Sequence, residues 1–295
     1  MSIASQYTRI INNIKASYSA LEEKGATLPT KQNSDNLATT IANLEIGSSA
    51  SDEILKGIVE ATATDIVLPD NIEKIANYFF YNSNDYPFYN KKITSLTANG
   101  VKEVGEKILY GHGCNSLREI NLPKLEIIGA GGLRTEAGSL MTYCTVQKIK
   151  LGKLKNVGAS AFSGLFNPTD GITQEIEMSF EDCVVGKSAF GYYNLPSFDG
   201  TGIKSLGQQP FNTCGNNIKK IWLPSTIETI TATDTKSGRL MSFYNANPDT
   251  LVTIYTDVAN ENSVPSGWGV GWNCSSLSTY VTTVYGATYE EFLNA

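Results

Sequence analysis

The chain has 295 residues, 41% apolar and 18% charged, enough apolar material for a packed core and too little charge for a disordered chain. Its 23 Lys and Arg against 29 Asp and Glu leave a net charge of −6, which argues against a nucleic-acid partner. A single histidine, His112, and five cysteines without a C-x-x-C pair leave no local signature for a metal site or for His-dependent catalysis.

The opening residues, Met-Ser-Ile-Ala-Ser-Gln-Tyr-Thr-Arg-Ile, lack the basic and apolar regions of a secretory signal. No apolar run reaches the roughly 18 residues of a membrane span. The expectation is a protein kept in a cytoplasm before lysis, or leaving by a route that needs no signal.

Residues 3–24 carry an apolar stripe, Ile3, Tyr7, Ile10, Ile14, Tyr18 and Leu21, in steps of 4, 3, 4, 4 and 3, which predicts a helix. Gly25 stops it, and Ser34 or Asp35 caps a second helix with the stripe Leu37, Ile41, Leu44. Gly47-Ser-Ser-Ala-Ser51 then reads as a linker. Two short helices bury little against each other. The stripe therefore either caps the first coil of the next domain or serves self-association or docking into a larger assembly. The near-heptad spacing and the linker favour the second. The expected division is a helical attachment or oligomerisation segment over 1–48 and a repeat domain over 49–295.

From there an apolar-x-x-apolar-x-apolar strand pattern recurs. Its clearest copies are Leu117/Ile120/Leu122, Val146/Ile149/Leu151 and Ile218/Ile221/Leu223. Weaker ones are Ala63/Ile66/Leu68, Ile93/Leu96/Ala98, Thr173/Ile176/Met178, Leu195/Phe198/Gly200 and Leu251/Ile254/Thr256. Each of the first seven is followed by an apolar-small pair: Ile75-Ala76, Val104-Gly105, Ile128-Gly129, Val157-Gly158, Val185-Gly186, Leu206-Gly207 and Ile230-Thr231. The small residues are 29, 24, 29, 28, 21 and 24 apart, and in six of the seven units Phe80, Leu109, Leu133, Phe162, Phe190 or Phe211 follows four residues later. The trio predicts an inward-facing strand, the pair a turn where neighbouring coils approach closely, and the last residue a plug. Stacking supplies the core that no single coil has.

Cys114-Asn-Ser-Leu-Arg-Glu-Ile-Asn-Leu-Pro123, Ile218-Lys-Lys-Ile-Trp-Leu-Pro224, Val157-Gly-Ala-Ser-Ala-Phe162 and Val185-Gly-Lys-Ser-Ala-Phe190 resemble the two halves of the BspA-like leucine-rich repeat, over about residues 55–290. The resemblance implies an α+β repeat fold: the helical segment followed by a leucine-rich-repeat solenoid of about eight or nine irregular coils. It places Cys114, Cys144, Cys214 and Cys274 just before strands, whereas Cys183 departs from the pattern. It also implies adhesion, since the family is mostly known from bacterial surface proteins. The head, with Lys-Gly-Ala-Thr-Leu-Pro and Asn-Leu-Ala-Thr-Thr-Ile, resembles those of phage and prophage repeat proteins of gut bacteria. The C-terminal stretch, through Pro265-Ser-Gly-Trp268 to Phe292, resembles the family's closing unit.

No stretch predicts catalysis. His112 and Cys114 are two apart on an extended segment and lack an orienting third group. Gly129-Ala-Gly-Gly132 coincides with a repeat turn and lacks the Gly-Lys-Ser/Thr of a phosphate loop. Glu175/Glu177, Glu181/Asp182 and Glu290/Glu291 read as solvated faces rather than opposed acid-base pairs. Neither cofactor nor metal is expected. The sharper signal is aromatic: Tyr86, Phe88 and Tyr89 in an insertion, Tyr192 and Tyr193 in a connector, and Trp268 and Trp272 in a glycine-rich loop, all candidate partner contacts. The expected function is a non-enzymatic binding module on a phage particle or related assembly. It would recognise a cell-surface glycan or protein and attach through its head. The alternative is a bacterial surface adhesin.

Overall fold

In the computed structural model the chain divides into two compact units, Met1–Glu53 and Ile54–Ala295. The structure describes residues 12, 14, 15, 17–19, 30, 64–80, 93–110, 116–135, 145–168, 171–214, 217–233, 235, 238–243 and 251–295. In the first unit residues 12, 14, 15 and 17–19 are helical, with Ile14 half-buried and Tyr18 buried. Ile3, Tyr7, Ile10 and Leu21 of the predicted stripe lie outside the described residues.

The second unit is a solenoid of short parallel strands. In chain order these are β1 (Asp65–Val67), β2 (Lys74–Ile75), β3 (Ser95–Thr97), β4 (Glu103–Val104), β5 (Glu119–Leu122), β6 (Ile127–Ile128), β7 (Lys148–Val157), β8 (Glu175–Val185), β9 (Ser197–Asp199) and β10 (Ile203–Leu206). They continue as β11 (Phe211–Cys214), β12 (Lys220–Trp222), β13 (Thr229–Ile230), β14 (Met241–Phe243), β15 (Val252–Tyr255) and β16 (Val281–Val284), and a helix, α1 (Tyr289–Asn294), follows. Every strand pairing is parallel, each strand lying on the equivalent strand of a neighbouring coil.

The recurring trio forms the first ladder, β1-β3-β5-β7-β8, and its counterpart β9-β12-β15-β16. Alternation along each strand sends Ile66, Leu96, Ile120, Ile149, Phe198, Ile221 and Ile254 into the core and their neighbours outward. In the last copy the sequence register is corrected. Leu251 is 51% exposed, and Val252 goes inside with Ile254 and Thr256, because the strand begins at Val252.

The apolar-small pairs are not simply turns. Their apolar members end a second ladder, β2-β4-β6-β7-β8-β10-β13, for which β7 and β8 run long enough to serve both. The following small residue extends it by one more bond. Gly105, Gly129, Gly158, Gly186, Gly207 and Thr231 each donate N–H to the carbonyl of Ile75, Val104, Ile128, Val157, Val185 and Leu206 respectively, at 2.7–2.8 Å. Coils touch backbone to backbone here: a Cβ on Gly158 would lie 2.6 Å from the Gly129 carbonyl carbon. That approach is why glycine recurs.

The predicted plugs Phe80, Leu109, Leu133, Phe162, Phe190 and Phe211 are all fully buried. Phe190 stacks between Phe162 (5.5 Å between centroids) and Phe211 (5.6 Å), with Phe198 edge-on at 4.9 Å. On the surface beside the second ladder, Glu73, Lys102, Glu126 and Lys155 occupy one position on successive coils. Lys102 pairs with Glu73 at 2.8 Å and Lys155 with Glu126 at 3.1 Å. Such exposed pairs add little each, but their alternation favours one coil order over another.

Candidate functional site

The outward residues of the first ladder form two columns in register. One runs Asp65, Ser95, Glu119, Lys148, Glu175; the other Val67, Thr97, Asn121, Lys150, Glu177. Over β5, β7 and β8 they line an open groove of about 280 Å³, beneath which Ile120 and Ile149 turn into the core. Lys150 and Glu177 pair across coils at 2.9 Å. Among the described residues Glu119, Lys148 and Glu175 form no ion pair. At the face's first coil Asp65 accepts from the hydroxyls of Thr94 (2.5 Å) and Ser95 (2.9 Å), which hold its carboxyl below the ordinary value.

Along β9, β12 and β15 the same columns read Ser197, Lys220, Thr253 and Asp199, Trp222, Tyr255. Here α1 lies on them. Trp222, at 4% exposure, packs with Phe292 and Ala287 against Tyr255, although it points away from the main core. Lys220 Nζ donates to the carbonyl oxygens of Phe292 (2.6 Å), Leu293 (3.0 Å) and Ala295 (3.1 Å), a lysine at a helix C-terminus in its favoured place. Tyr289 donates its hydroxyl to Asp199 Oδ2 at 2.5 Å, and this bond, with burial, pushes its phenol up to about 12. A capping box between Thr288 and Glu291 closes the other end of the helix. The sequence pattern suggested a closing unit here but gave no sign that it folds over the strand face.

The aromatic candidates need correction. Tyr193 is 4% exposed, donates its hydroxyl to the Ser197 carbonyl, and sits among Phe166, Phe190, Phe198 and Phe211. Trp268 and Trp272 are 6% and 5% exposed and meet edge to face at 4.8 Å, and Trp268 Nε1 donates to the Ile227 carbonyl at 2.7 Å. These three rings are core, and the polar handles of Tyr193 and Trp268 each find a backbone acceptor. Tyr192 is half-buried, on a left-handed backbone (φ 59°). Tyr86, Phe88 and Tyr89 lie outside the described residues, as do His112, Cys114 and Cys144. Cys183, Cys214 and Cys274 are buried, and burial raises the Cys183 thiol to about 12, far from a reactive thiolate.

Glu119, Asn121, Lys148 and Lys150 went unnoticed in the sequence, and Glu175 and Glu177 read only as a solvated face. The signal was present, since all six flank the middle apolar residue of a strand copy. Among the described residues no helix is long and apolar enough to cross a membrane.

Six copies of the BspA type Leucine rich repeat region match the chain, over residues 59–165 and 138–247. No curated protein matches it. The two matched stretches cover well over half of the sequence and coincide with the paired ladders, so the chain belongs to the BspA-type leucine-rich repeat family.

Proposed function

We propose that this chain is a non-enzymatic binding module whose ligand face is the outward side of the first ladder. The observation that carries the reading is the open, in-register face with Glu119, Lys148 and Glu175, which form no ion pair among the described residues. Polar groups held in register along a repeat face suit recognition, and repeats of this family are often adhesive. The target is a protein or glycan on a cell surface. Residues 1–48 attach the module to a phage particle or related assembly, for which their stripe and the linker after it are suited. Family membership also supports a second reading, a bacterial surface adhesin that engages host or matrix.

Flow cytometry of the labelled full chain on a panel of gut bacteria tests the ligand face. Binding is expected, with a loss of about tenfold or more when Glu119, Lys148 and Glu175 are all changed to Ala. Binding to no cell, or binding indifferent to the triple change, overturns it. Binding to host epithelial or matrix preparations instead favours the adhesin.

A further inference from the structure

Among the described residues α1 is the one segment lying on the ligand face, and it reports what that face accepts. It is a helix end, gripped by Lys220 on three C-terminal carbonyl oxygens and by Asp199 on the Tyr289 hydroxyl. Lys220 precedes the buried Ile221 of β12, and Asp199 follows the buried Phe198 on the adjacent β9. The open groove has the same two stations. Lys148 precedes the buried Ile149 of β7, and Asn121 follows the buried Ile120 on the adjacent β5. Lys148 has no ion-pair partner among the described residues, whereas Asn121 Oδ1 is shielded from the surface.

We infer that the open groove takes the carboxyl-terminal turn of a helix from a protein partner, with Lys148 on its free carbonyl oxygens. The last carbonyls of a helix lack internal partners and carry the negative end of its dipole, so an unpaired ammonium is their natural complement. Two differences set side-chain specificity, and the first is that Lys148 stands in register between Glu119 and Glu175, where Lys220 stands between Ser197 and Thr253. Where α1 meets Trp222 and Tyr255, the groove offers the paired Lys150 and Glu177. The incoming helix therefore places a charged residue there, where α1 places Phe292. The inference rests on the strand face being the ligand face, and narrows its target from protein or glycan to protein.

The probe is a stapled, C-terminally amidated helical peptide of residues 286–295 carrying Phe292→Glu, titrated into the isotopically labelled full chain. Amide shifts are expected at residues 119–122 and 148–151. Lys148→Ala should weaken binding about tenfold, as for lost hydrogen bonds to a charged group. The exposed Lys204→Ala, on the second ladder, should leave it unchanged. Three results overturn the inference: no shifts at millimolar peptide, shifts confined to β9, β12 and β15, or equal weakening by Lys204→Ala. A parallel arm separates its failure from that of the broader reading. Protease shaving of bacteria that bind the full chain should abolish binding. Binding that survives shaving but not periodate oxidation of glycans overturns the helix partner and leaves the binding module standing.

Discussion

Replacing Gly158 by Ala tests whether glycine sets the spacing between coils. The new Cβ would stand 2.6 Å from the Gly129 carbonyl carbon and 2.7 Å from the Ala130 nitrogen. Carbon pairs rest at roughly 3.5–4.0 Å, so the coils must part by about 1 Å. The Gly158 N–H to Ile128 carbonyl bond, 2.8 Å now, would then stretch past a useful length. Overpacking costs roughly 1–3 kcal/mol and the weakened bond about 1 more. At roughly 2–4 °C per kcal/mol for a domain of this size, Tm should fall by about 4–16 °C. An unhindered Gly→Ala change instead stabilises by roughly 0.4–1 kcal/mol, so the sign alone is diagnostic. Thermal unfolding followed by circular dichroism reads it. An unchanged or higher Tm would refute the spacing argument.

Phe190→Ala removes the centre of the ring column and should cost about 3–5 kcal/mol in urea unfolding; a loss under about 1 kcal/mol would mean the rings are incidental. Tyr289 has its phenol raised in the folded state, so its share of stability is intact below the unfolded value near 10 and lost as pH rises through about 12. Tyr289→Phe should flatten stability over that window, and an unaltered alkaline profile would deny the bond to Asp199. Asp65 titrates low, so its contribution is present above the ordinary value of 3.8 and disappears as pH falls through its depressed folded value. Changing Thr94 and Ser95 to Ala should shift that acid loss upward in pH, seen by following the Asp65 carboxyl by NMR.

The inward half of each coil is legible in the sequence because burial leaves little choice. Ile66, Ile120, Ile149 and Ile221 must be apolar, and the glycines must lack a Cβ, so both recur with a visible period. Register was harder where two apolar residues adjoin, as at Leu251 and Val252, since either satisfies the pattern. The tryptophans looked exposed because glycines surround them. Those glycines instead press the loop onto its neighbour: a Cβ on Gly269 would fall on the Ala232 carbonyl oxygen, and one on Gly271 on that of Thr233. The outward columns were illegible for the opposite reason. A solvated strand position accepts almost any polar residue, so Lys148 and Glu119 stand out only once strand pairing sets them side by side. That α1 folds over β12 depends on contacts such as Lys220 to Phe292, 72 residues apart, which no local pattern carries.

The alternating column Glu73, Lys102, Glu126, Lys155 bears on how such a chain can change length. Deleting one internal coil would bring two carboxylates or two ammonium groups into adjacent rungs. Deleting or duplicating two together restores opposite neighbours. A chain built this way grows and shrinks most easily in even steps, and variants differing by a pair of coils should keep their unfolding midpoint better than those differing by one.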